Sequence, residues 1–285
     1  MAVRAGERSL RVSINGVVLD ASEAGSGVPI VLLHGGPGMS SRASDWRSYA
    51  ELADTYRVVA YDMRGCGASE GKPPYSHAQW VDDLEQLRKQ LGLGQMVLLG
   101  GSYGGHIALE YALRHQAHLL ALILRDTAAS SAYHHLSIER ALASGLPMDR
   151  AALDRLFGGR IRDDEDFRAS YAMIQPLYRV DYDPAQGASE LERIPFRYQT
   201  HNWAFSRNQP DFNLVPQLSS IRVPTLVTVG RHDWITPVES SLEIAREIPG
   251  SRLRIFENSG HSPQIEEHGP YLELVRDFLA EVLPG

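Results

Sequence analysis

The stretch Leu98–His106, LLGGSYGGH, places a serine among glycines at the junction of two predicted elements. The apolar run MVLLG before it predicts a buried strand, and residues Tyr103–His115 predict a helix. Gly100, Ser102 and Gly104 fit the G-x-S-x-G nucleophile elbow, a sharp strand-to-helix turn that lifts the serine Oγ out of a sheet. A Cβ at the flanking positions would collide with the neighbouring strand and helix. The stretch therefore predicts a nucleophilic Ser102; an ordinary loop serine is the alternative.

The elbow lies within a longer alternation of strands and helices. Apolar, β-branched runs that end in loops recur along the chain: VPIVLLHGG, YRVVAYDMRG, LLALILRD, PTLVTVGRHD and LRIFENSGH. Their continuous apolar character is typical of strands covered on both faces, as in a parallel sheet. A hairpin with Asn15–Gly16 at its turn precedes them, and helical patterns separate several of them, one with a cap at Ser76. The alternation predicts an α/β fold with a mostly parallel, doubly wound sheet.

One interval, residues 127–218, interrupts this alternation. It is helical in character but charged, aromatic and punctuated by proline, as in IRDDEDFRASYAMIQPLYRVDYDP and RIPFRYQTHNWAFSRNQPDF. We interpret it as a helical cap inserted between two strands of the sheet. The predicted core domain then comprises residues 1–126 and 219–285.

A serine hydroxyl needs a base and an orienting acid before it becomes a strong nucleophile. For a nucleophile elbow the chain order is serine, then acid, then histidine. Asp233 follows one predicted strand after the insertion, and His261 follows the next. The carboxyl ends of parallel strands converge at one crevice, so these residues can meet Ser102 there. Asp126, at the end of LLALILRD, is an alternative source of the carboxylate.

The loop HGGPG is predicted to supply one of two donors for a developing oxyanion. Its glycines allow close backbone approach, and we assign the donors to the amides of Gly36 and Tyr103. His34 is expected to hold that loop by hydrogen bonding. His106, one helical turn beyond Ser102, is interpreted as a packing or capping residue. In YDMRGCGAS, Asp62, Arg64 and Cys66 are interpreted as scaffolding and packing.

Composition excludes several classes of partner. The formal net charge of −7 argues against nucleic acid or an anionic membrane as a main partner. The sequence has one cysteine and no apolar run near the roughly 18 to 20 residues that a membrane helix needs. The N-terminus lacks the apolar core of a secretory signal. We therefore expect a cytoplasmic protein without a metal or cofactor; the oligomeric state stays open.

At this point the motifs HGGPG, DMRGCGAS, GGSYGG, the Asp233 segment and SGH resemble those of the α/β-hydrolase superfamily, and within it the proline iminopeptidase branch. The resemblance covers about residues 25–125 and 220–283. It implies a cofactor-free serine hydrolase that removes N-terminal residues, often proline, from short peptides beneath a helical cap.

The chain departs from that branch where the family holds the substrate's free ammonium. One family acid follows the triad aspartate directly, and another lies in an N-E step late in the cap. Here these positions are Trp234 and Asn208–Gln209. Burying an ammonium without a carboxylate partner is costly. Other acids of the insertion are alternative partners, although a solvated helix face explains them equally: Asp163–Asp166, Asp181, Asp183 and Glu190.

Four aromatic residues are predicted to form a pocket for an uncharged acyl or alcohol group: Trp203, Phe205, Trp234 and Tyr178. The alternative is that they are ordinary core residues. The sequence thus predicts a serine hydrolase acting on a small molecule or short peptide, through an acyl-enzyme, on an amide or an ester bond. Alternatives are an esterase or lactonase with no need for a free amine, and a ligand-binding receptor without useful turnover.

Overall fold

In the computed structural model, which describes residues 6–283, an eight-stranded sheet forms the centre of the fold. Its strands are β1 (Arg8–Ile14), β2 (Val17–Ala24), β3 (Pro29–Leu33), β4 (Arg57–Tyr61), β5 (Met96–Gly101), β6 (Leu119–Arg125), β7 (Thr225–Gly230) and β8 (Arg252–Phe256). They lie in the order β1-β2-β4-β3-β5-β6-β7-β8. The pairs β1–β2 and β2–β4 are antiparallel and all others are parallel. The predicted mostly parallel α/β sheet is confirmed.

The hairpin turn between β1 and β2 lies where the sequence predicts it. Asn15 and Gly16 have φ values of 48° and 76°, the left-handed pair that a two-residue type I′ turn requires.

Eleven α-helices connect or extend the strands within the described residues. They are α1 (Arg42–Tyr49), α2 (His77–Gln90), α3 (Tyr103–His115), α4 (His134–Ala143), α5 (Arg150–Phe157), α6 (Asp164–Ile174), α7 (Pro184–Glu192), α8 (Tyr198–Trp203), α9 (Val238–Glu247), α10 (Pro263–Glu266) and α11 (His268–Val282). The predicted cap of α2 is confirmed, since Ser76 Oγ accepts a hydrogen bond from the amide of Gln79 at 3.2 Å.

Helices cover both faces of the sheet, which explains the continuous apolar strands. One apolar cluster joins alternate strand residues to α2, α3 and α9, and it includes Val31, Trp80 and Ile244. The cluster on the opposite face joins the intervening residues to α1 and α11, and it includes Ile30 and Tyr271. Because successive side chains of a strand point to opposite faces, both kinds of position must be apolar.

Between β6 and β7 the chain forms α4 to α8, followed by a π-helical turn at Ala204–Asn208. In residues 127–218, all of which are described, the only extended pairing is an isolated bridge between Ser130 and Asn213. These helices have their own apolar cluster, which includes Leu153 and Phe167 and also takes in Trp234 beyond β7. The division into a core and a cap at 127–218 stays a prediction, and its ends at 1–5 and 284–285 lie outside the described residues.

No helix in the stretch 6–283 combines the length and the apolar character needed to cross a membrane.

Candidate active site

Ser102 lies at a strained turn between β5 and α3. Its φ of 52° and ψ of −123° fall outside the regions that non-glycine residues usually adopt. Hydrogen bonds fix this conformation, because Ser102 N donates to the carbonyl of Arg125 at 2.8 Å and Ser102 O accepts from the amide of Gly105 at 2.9 Å. The predicted strand-turn-helix context of the serine is therefore present.

The glycines around Ser102 are required by close backbone contacts. A Cβ at Gly104 would lie 2.2 Å from the carbonyl oxygen of Leu33, on the neighbouring strand. A Cβ at Gly100 would lie 2.5 Å from the carbonyl oxygen of Gly104. Any side chain at these positions would force α3 away from the sheet.

Asp233 and His261 are brought together although 28 residues separate them. Asp233 Oδ2 lies 2.8 Å from His261 Nδ1. The carboxylate is held by a tight turn: the amides of Ile235 and Thr236 donate to Oδ1, and the hydroxyl of Thr236 donates to Oδ2. An ionised carboxylate only accepts, so the imidazole carries its proton on Nδ1 and leaves Nε2 as an acceptor.

Asp126, the alternative acid, lies close to this pair but has different partners. Its Oδ1 accepts a hydrogen bond from the amide of Gly230 at 3.0 Å, and its Oδ2 lies 3.4 Å from the guanidinium of Arg125. Burial and then the charge of Asp233 raise the pKa of Asp126 to about 7. His261 Nδ1 thus donates to Asp233 and not to Asp126, which lies beside the pair as a second, partly ionised carboxyl.

Charge also sets the proton affinity of His261. Burial lowers its pKa, but the charge of Asp233, the hydrogen bond to Asp233 and the charge of Asp126 outweigh burial and raise the pKa above its ordinary value. The imidazole thus binds a proton readily, as a general base must.

Ser102 and His261 line the same cavity, of about 760 Å³. Although both residues belong to the described part of the chain, no hydrogen bond joins their side chains in this structure. In enzymes without a bound substrate such contacts are often long and tighten only in the reacting complex.

The two amides predicted as oxyanion donors lie beside Ser102 and are free to donate. A Cβ at Gly35 would lie 2.8 Å from Ser102 Cβ, so the HGGPG loop passes directly by the serine. Tyr103 is the first residue of α3, where an amide has no intrahelical partner. No hydrogen bond in the described part of the chain uses the amide of Gly36 or of Tyr103.

His34 holds this loop, as expected from its position. Its Nε2 accepts a hydrogen bond from the amide of Met63 at 3.1 Å, and its Nδ1 donates to the carbonyl of Gly35 at 2.8 Å. Cys66 is buried, accepts a bond from the amide of Gly38, and has a pKa raised to about 12 by burial. A thiol in that state is a packing residue.

Ser102 also lines a second, smaller cavity of about 80 Å³. Its wall is mainly apolar and aromatic, whereas the larger cavity carries charged groups, among them Arg179 and Glu190. Gly36 and Ser102 belong to both walls, Tyr103 only to the smaller cavity and His261 only to the larger one. The serine therefore stands at the junction of an apolar and a polar compartment.

Only two of the four aromatic residues predicted to form a substrate pocket line a cavity in the structure. Tyr178 and Phe205 line the smaller cavity, but Trp234 and Trp203 line neither cavity. Trp234 lies behind the wall, with its ring centroid 5.7 Å from Tyr178 and 6.1 Å from Phe157.

Trp203 is partly buried and packs against the core cluster. It packs edge-on against Tyr75 at 6.0 Å, and the guanidinium of Arg207 lies 4.1 Å over its ring. The Trp203 side chain packs α8 against the core. It is therefore not in a position to contact a substrate in either cavity.

Three wall residues of the smaller cavity, His106, His134 and Phe157, were not assigned to a pocket from the sequence. His106 packs as expected, with ring centroids 4.5 Å from Phe212 and 4.8 Å from Tyr103, and also faces the cavity. The sequence did contain a sign that His106 lies near the site. His106 comes four residues after Ser102, and residues four apart lie on the same face of a helix.

The positions that depart from the family pattern can now be located. Gln209, from the nearest match to the second of these positions, lines the smaller cavity and brings a neutral amide to its wall. Glu190 lines the larger cavity and is paired with Arg179 at 3.0 Å. The other acids predicted as alternative partners line neither cavity: Asp163–Asp166, Asp181 and Asp183.

Within the described residues, two groups each bring together three side chains that could bind a metal ion. One is Asp126, Asp233 and His261, in which the imidazole is hydrogen-bonded to Asp233. In the other, Glu85 with His115 and His118, the carboxylate is already bound by Arg88 through both oxygens at 2.8 Å. A cationic side chain next to each group, Arg125 beside Asp126 and Arg88 beside Glu85, opposes the binding of a metal ion.

Comparison with known proteins agrees with this geometry. Residues 28–268 match the alpha/beta hydrolase fold family. The chain is 34% identical to the proline iminopeptidase PfmaB of Pestalotiopsis fici, over 94% of this chain and 98% of that protein. It is 34% identical to the proline iminopeptidase of Saccharolobus solfataricus, over 90% of this chain and 86% of that protein.

Solved structures with the same fold include other hydrolases. An esterase from Thermogutta terrifontis superposes with a TM-score of 0.76 at 25% identity, covering 96% of this chain and 99% of that one. Est816, described as an N-acyl homoserine lactone degrading enzyme, superposes with a TM-score of 0.74 at 26% identity, covering 94% of this chain and 100% of that one. Taken with the strained serine and the converging acid and histidine, these matches show that the chain belongs to the α/β-hydrolase family, in its proline iminopeptidase branch.

Proposed function

We propose that this protein is a serine hydrolase that cleaves small esters or amides through an acyl-enzyme. The observation that carries the proposal is the 2.8 Å hydrogen bond between Asp233 and His261, at the wall of a cavity that Ser102 also lines. Ser102 is held in a strained conformation at the N-terminus of α3, whose dipole favours developing negative charge.

In the first half of the proposed reaction, His261 Nε2 takes the proton of Ser102 as Oγ bonds to the substrate's carbonyl carbon. The carbonyl oxygen becomes an oxyanion, which accepts hydrogen bonds from the amides of Gly36 and Tyr103. His261 then gives the proton to the leaving alcohol or amine, and the bond to it breaks. Water attacks the acyl-enzyme in the same way and restores the serine.

Asp233 is a positioning residue in this scheme. It keeps the proton of the neutral imidazole on Nδ1 and stabilises the imidazolium that forms during each step. Four hydrogen bonds, three from its own turn and one from His261, fix both carboxylate oxygens.

We further propose that a free amine on the substrate gives little advantage. The nearest matches to the two positions where the family holds an ammonium are the neutral Gln209 and the buried Trp234, and neither has the carboxylate that would pair with an ammonium. The relatives named proline iminopeptidases favour a peptide substrate, whereas the esterase and the lactone-degrading enzyme favour an ester. The smaller cavity, whose wall is mainly apolar, supports the second class.

Labelling with a fluorophosphonate tests the nucleophile. We expect one label per chain, on Ser102, and none in the variant Ser102→Ala. Ser130→Ala, which removes another hydroxyl from the wall of the smaller cavity, serves as the matched control and should label normally. Full labelling of Ser102→Ala would overturn the proposed mechanism.

Comparison of three substrates tests the bond and the amine: a prolyl arylamide, its N-acetylated form and a small neutral ester. We expect the ester to be cleaved and the free amine to change kcat/KM of the arylamide only slightly. A hundredfold preference for the free amine corresponds to about 2.7 kcal/mol of transition-state stabilisation and would instead assign an ammonium site to acids of the insertion.

A further inference from the structure

Several residues that line the smaller cavity have a polar side-chain atom without a partner. Four residues that line this cavity each have one buried side-chain atom with no hydrogen-bond partner in the described part of the chain: His106 (Nδ1), His134 (Nε2), Gln209 (Oε1) and Ser240 (Oγ). The residues His106, Gln209 and Ser240 are only 5%, 8% and 1% exposed. Buried polar groups in folded proteins are almost always paired, so these atoms are expected to find partners in a bound molecule.

None of these wall groups carries a charge. Burial, followed by the charges of His77 and His134, keeps the pKa of His106 well below its ordinary value. Burial and the neighbouring His135 also lower the pKa of His134. Neutral imidazole, amide and hydroxyl groups offer donors and acceptors but cannot compensate an ion. Their chemistry therefore suits a neutral polar group and disfavours an ammonium or a carboxylate.

The polar atoms are held at fixed positions relative to the serine. His106 lies on α3, the helix that Ser102 precedes. Gln209 follows the π-helical turn and is anchored by its amide, which donates to the carbonyl of Ala204 at 3.0 Å. The adjacent Asn208 donates to the carbonyl of Tyr75 at 2.9 Å and so ties this segment to the core.

The distribution of wall residues indicates which part of a substrate enters this cavity. The proposed base, His261, must protonate the leaving group, and it lines only the larger cavity. The smaller cavity is lined by Ser102 and by both proposed oxyanion donors, Gly36 and Tyr103, but not by His261. Since Ser102 and Gly36 line both cavities, the separate positions of Tyr103 and His261 favour a pose with the acyl group in the smaller cavity and the leaving group in the larger one.

We propose that the smaller cavity is an acyl-group site selective for a small apolar ring that bears a neutral hydrogen-bonding group, such as a lactam, ether or hydroxyl. The aromatic wall, which includes Phe157, Phe205 and Tyr178, covers the ring, and the unpaired atoms of His106 and Gln209 bind its polar group. This inference rests on the proposed serine hydrolase function, because it assumes that Ser102 attacks the carbonyl attached to the ring.

A series of 4-nitrophenyl esters tests the proposal. The acyl groups are acetyl, cyclopentanecarbonyl, tetrahydrofuran-2-carbonyl, 5-oxoprolyl and prolyl, which differ in the presence of a ring and in its polarity and charge. Each kcat/KM is divided by the rate of hydroxide-catalysed hydrolysis of the same ester, which removes differences in intrinsic reactivity. We expect at least one of the two neutral polar rings to exceed both cyclopentanecarbonyl and prolyl at least tenfold.

Two variants test whether residues lining the smaller cavity cause the preference for a polar ring. Gln209→Met and His106→Phe keep the bulk but remove the polar atoms, and each should reduce the polar-ring advantage over the carbocycle several-fold. Gln217→Met, at an exposed glutamine of the same insertion, is the matched control and should leave that ratio unchanged.

The outcomes separate the two proposals. If the wild-type protein does not hydrolyse even the acetyl ester, the proposed serine hydrolase function is wrong. Hydrolysis of the acetyl ester, combined with a carbocycle that matches or exceeds both polar rings, would overturn the acyl-site proposal alone. This ranking needs only the wild-type protein, so it decides the question even where a variant fails to fold.

Discussion

Asp126 and Asp233 follow neighbouring parallel strands, and their carboxylate oxygens come within 4.8 Å of each other. Two buried carboxylates at this distance disfavour each other's ionisation. The two carboxyls differ in their surroundings. Asp233 accepts hydrogen bonds from its own turn and from the imidazole of His261. Burial and the charge of Asp233 raise the pKa of Asp126 to about 7. One acid thus orients the imidazole of His261, and the charge of the other helps to raise the pKa of that imidazole.

The first prediction concerns which acid orients His261. Asp233→Asn should lower kcat by up to about ten-thousandfold, because an amide at this position favours the wrong tautomer of the imidazole. Asp126→Asn should lower kcat less than about tenfold, since its carboxyl is not hydrogen-bonded to His261. Steady-state kinetics on a neutral ester measures both. Equal losses in the two variants would assign the orienting role to Asp126 as well.

The second prediction is a pH shift in Asp126→Asn. His261 must be neutral to act as a base, so kcat/KM falls as the pH drops through the pKa of His261, which lies above its ordinary value. The charge of Asp126 contributes to that raised pKa, and removing it should lower the pKa. The acidic limb of the profile should therefore move to lower pH. A profile of kcat/KM from about pH 5 to about pH 9 measures the shift, and an upward shift would contradict the electrostatic account.

Sequence reasoning predicted the sheet and the elbow because both depend on local constraints. Continuous apolar runs specify strands buried on two faces, and the glycines beside Ser102 are needed wherever strand and helix meet so closely. The sequence favoured Asp233 but left Asp126 as an alternative, since each follows a strand. It depends on the turn at Ile235 and Thr236, which fixes one carboxylate toward His261.

The walls of the cavities were harder to predict because they depend on how the inserted helices pack. An aromatic residue in this segment can face a substrate, as Phe205 does, or seat a helix, as Trp203 does, and composition does not distinguish the two. His106 was within reach of sequence reasoning, because α3 was predicted and its register relative to Ser102 follows from helix geometry.

The third prediction tests the packing at the elbow. Gly104→Ala would bring a Cβ to 2.2 Å from the carbonyl oxygen of Leu33, which neither backbone can avoid without moving. We expect a loss of about 1 to 3 kcal/mol in the free energy of unfolding, together with reduced activity. Gly269→Ala, in α11, is the control, because no atom lies within 4 Å of the added Cβ. Urea unfolding should show the control unchanged or more stable by up to about 1 kcal/mol.

The fourth prediction concerns the buried ion pair of Arg64 and Asp83, whose side chains are 2% and 1% exposed. Arg64 donates to both carboxylate oxygens of Asp83, at 2.7 and 2.8 Å, and to the carbonyl oxygens of Asn15 and Lys72. Arg64→Met would leave a buried carboxylate without its main partner, so we expect a loss of about 3 to 5 kcal/mol in the free energy of unfolding.

The matched control for this change is an exposed pair. Arg276→Met removes the partner of Asp54, whose side chain is 60% exposed, and should cost less than about 1 kcal/mol. In the double variant Arg64→Met with Asp83→Leu no charge is left unpaired, so part of the lost stability should return. Urea unfolding of the three proteins separates the cost of an unpaired charge from the loss of packing. A double variant less stable than Arg64→Met would show that the hydrogen bonds of Asp83 to Asn15 and Gln79 stabilise the fold more than its unpaired charge destabilises it.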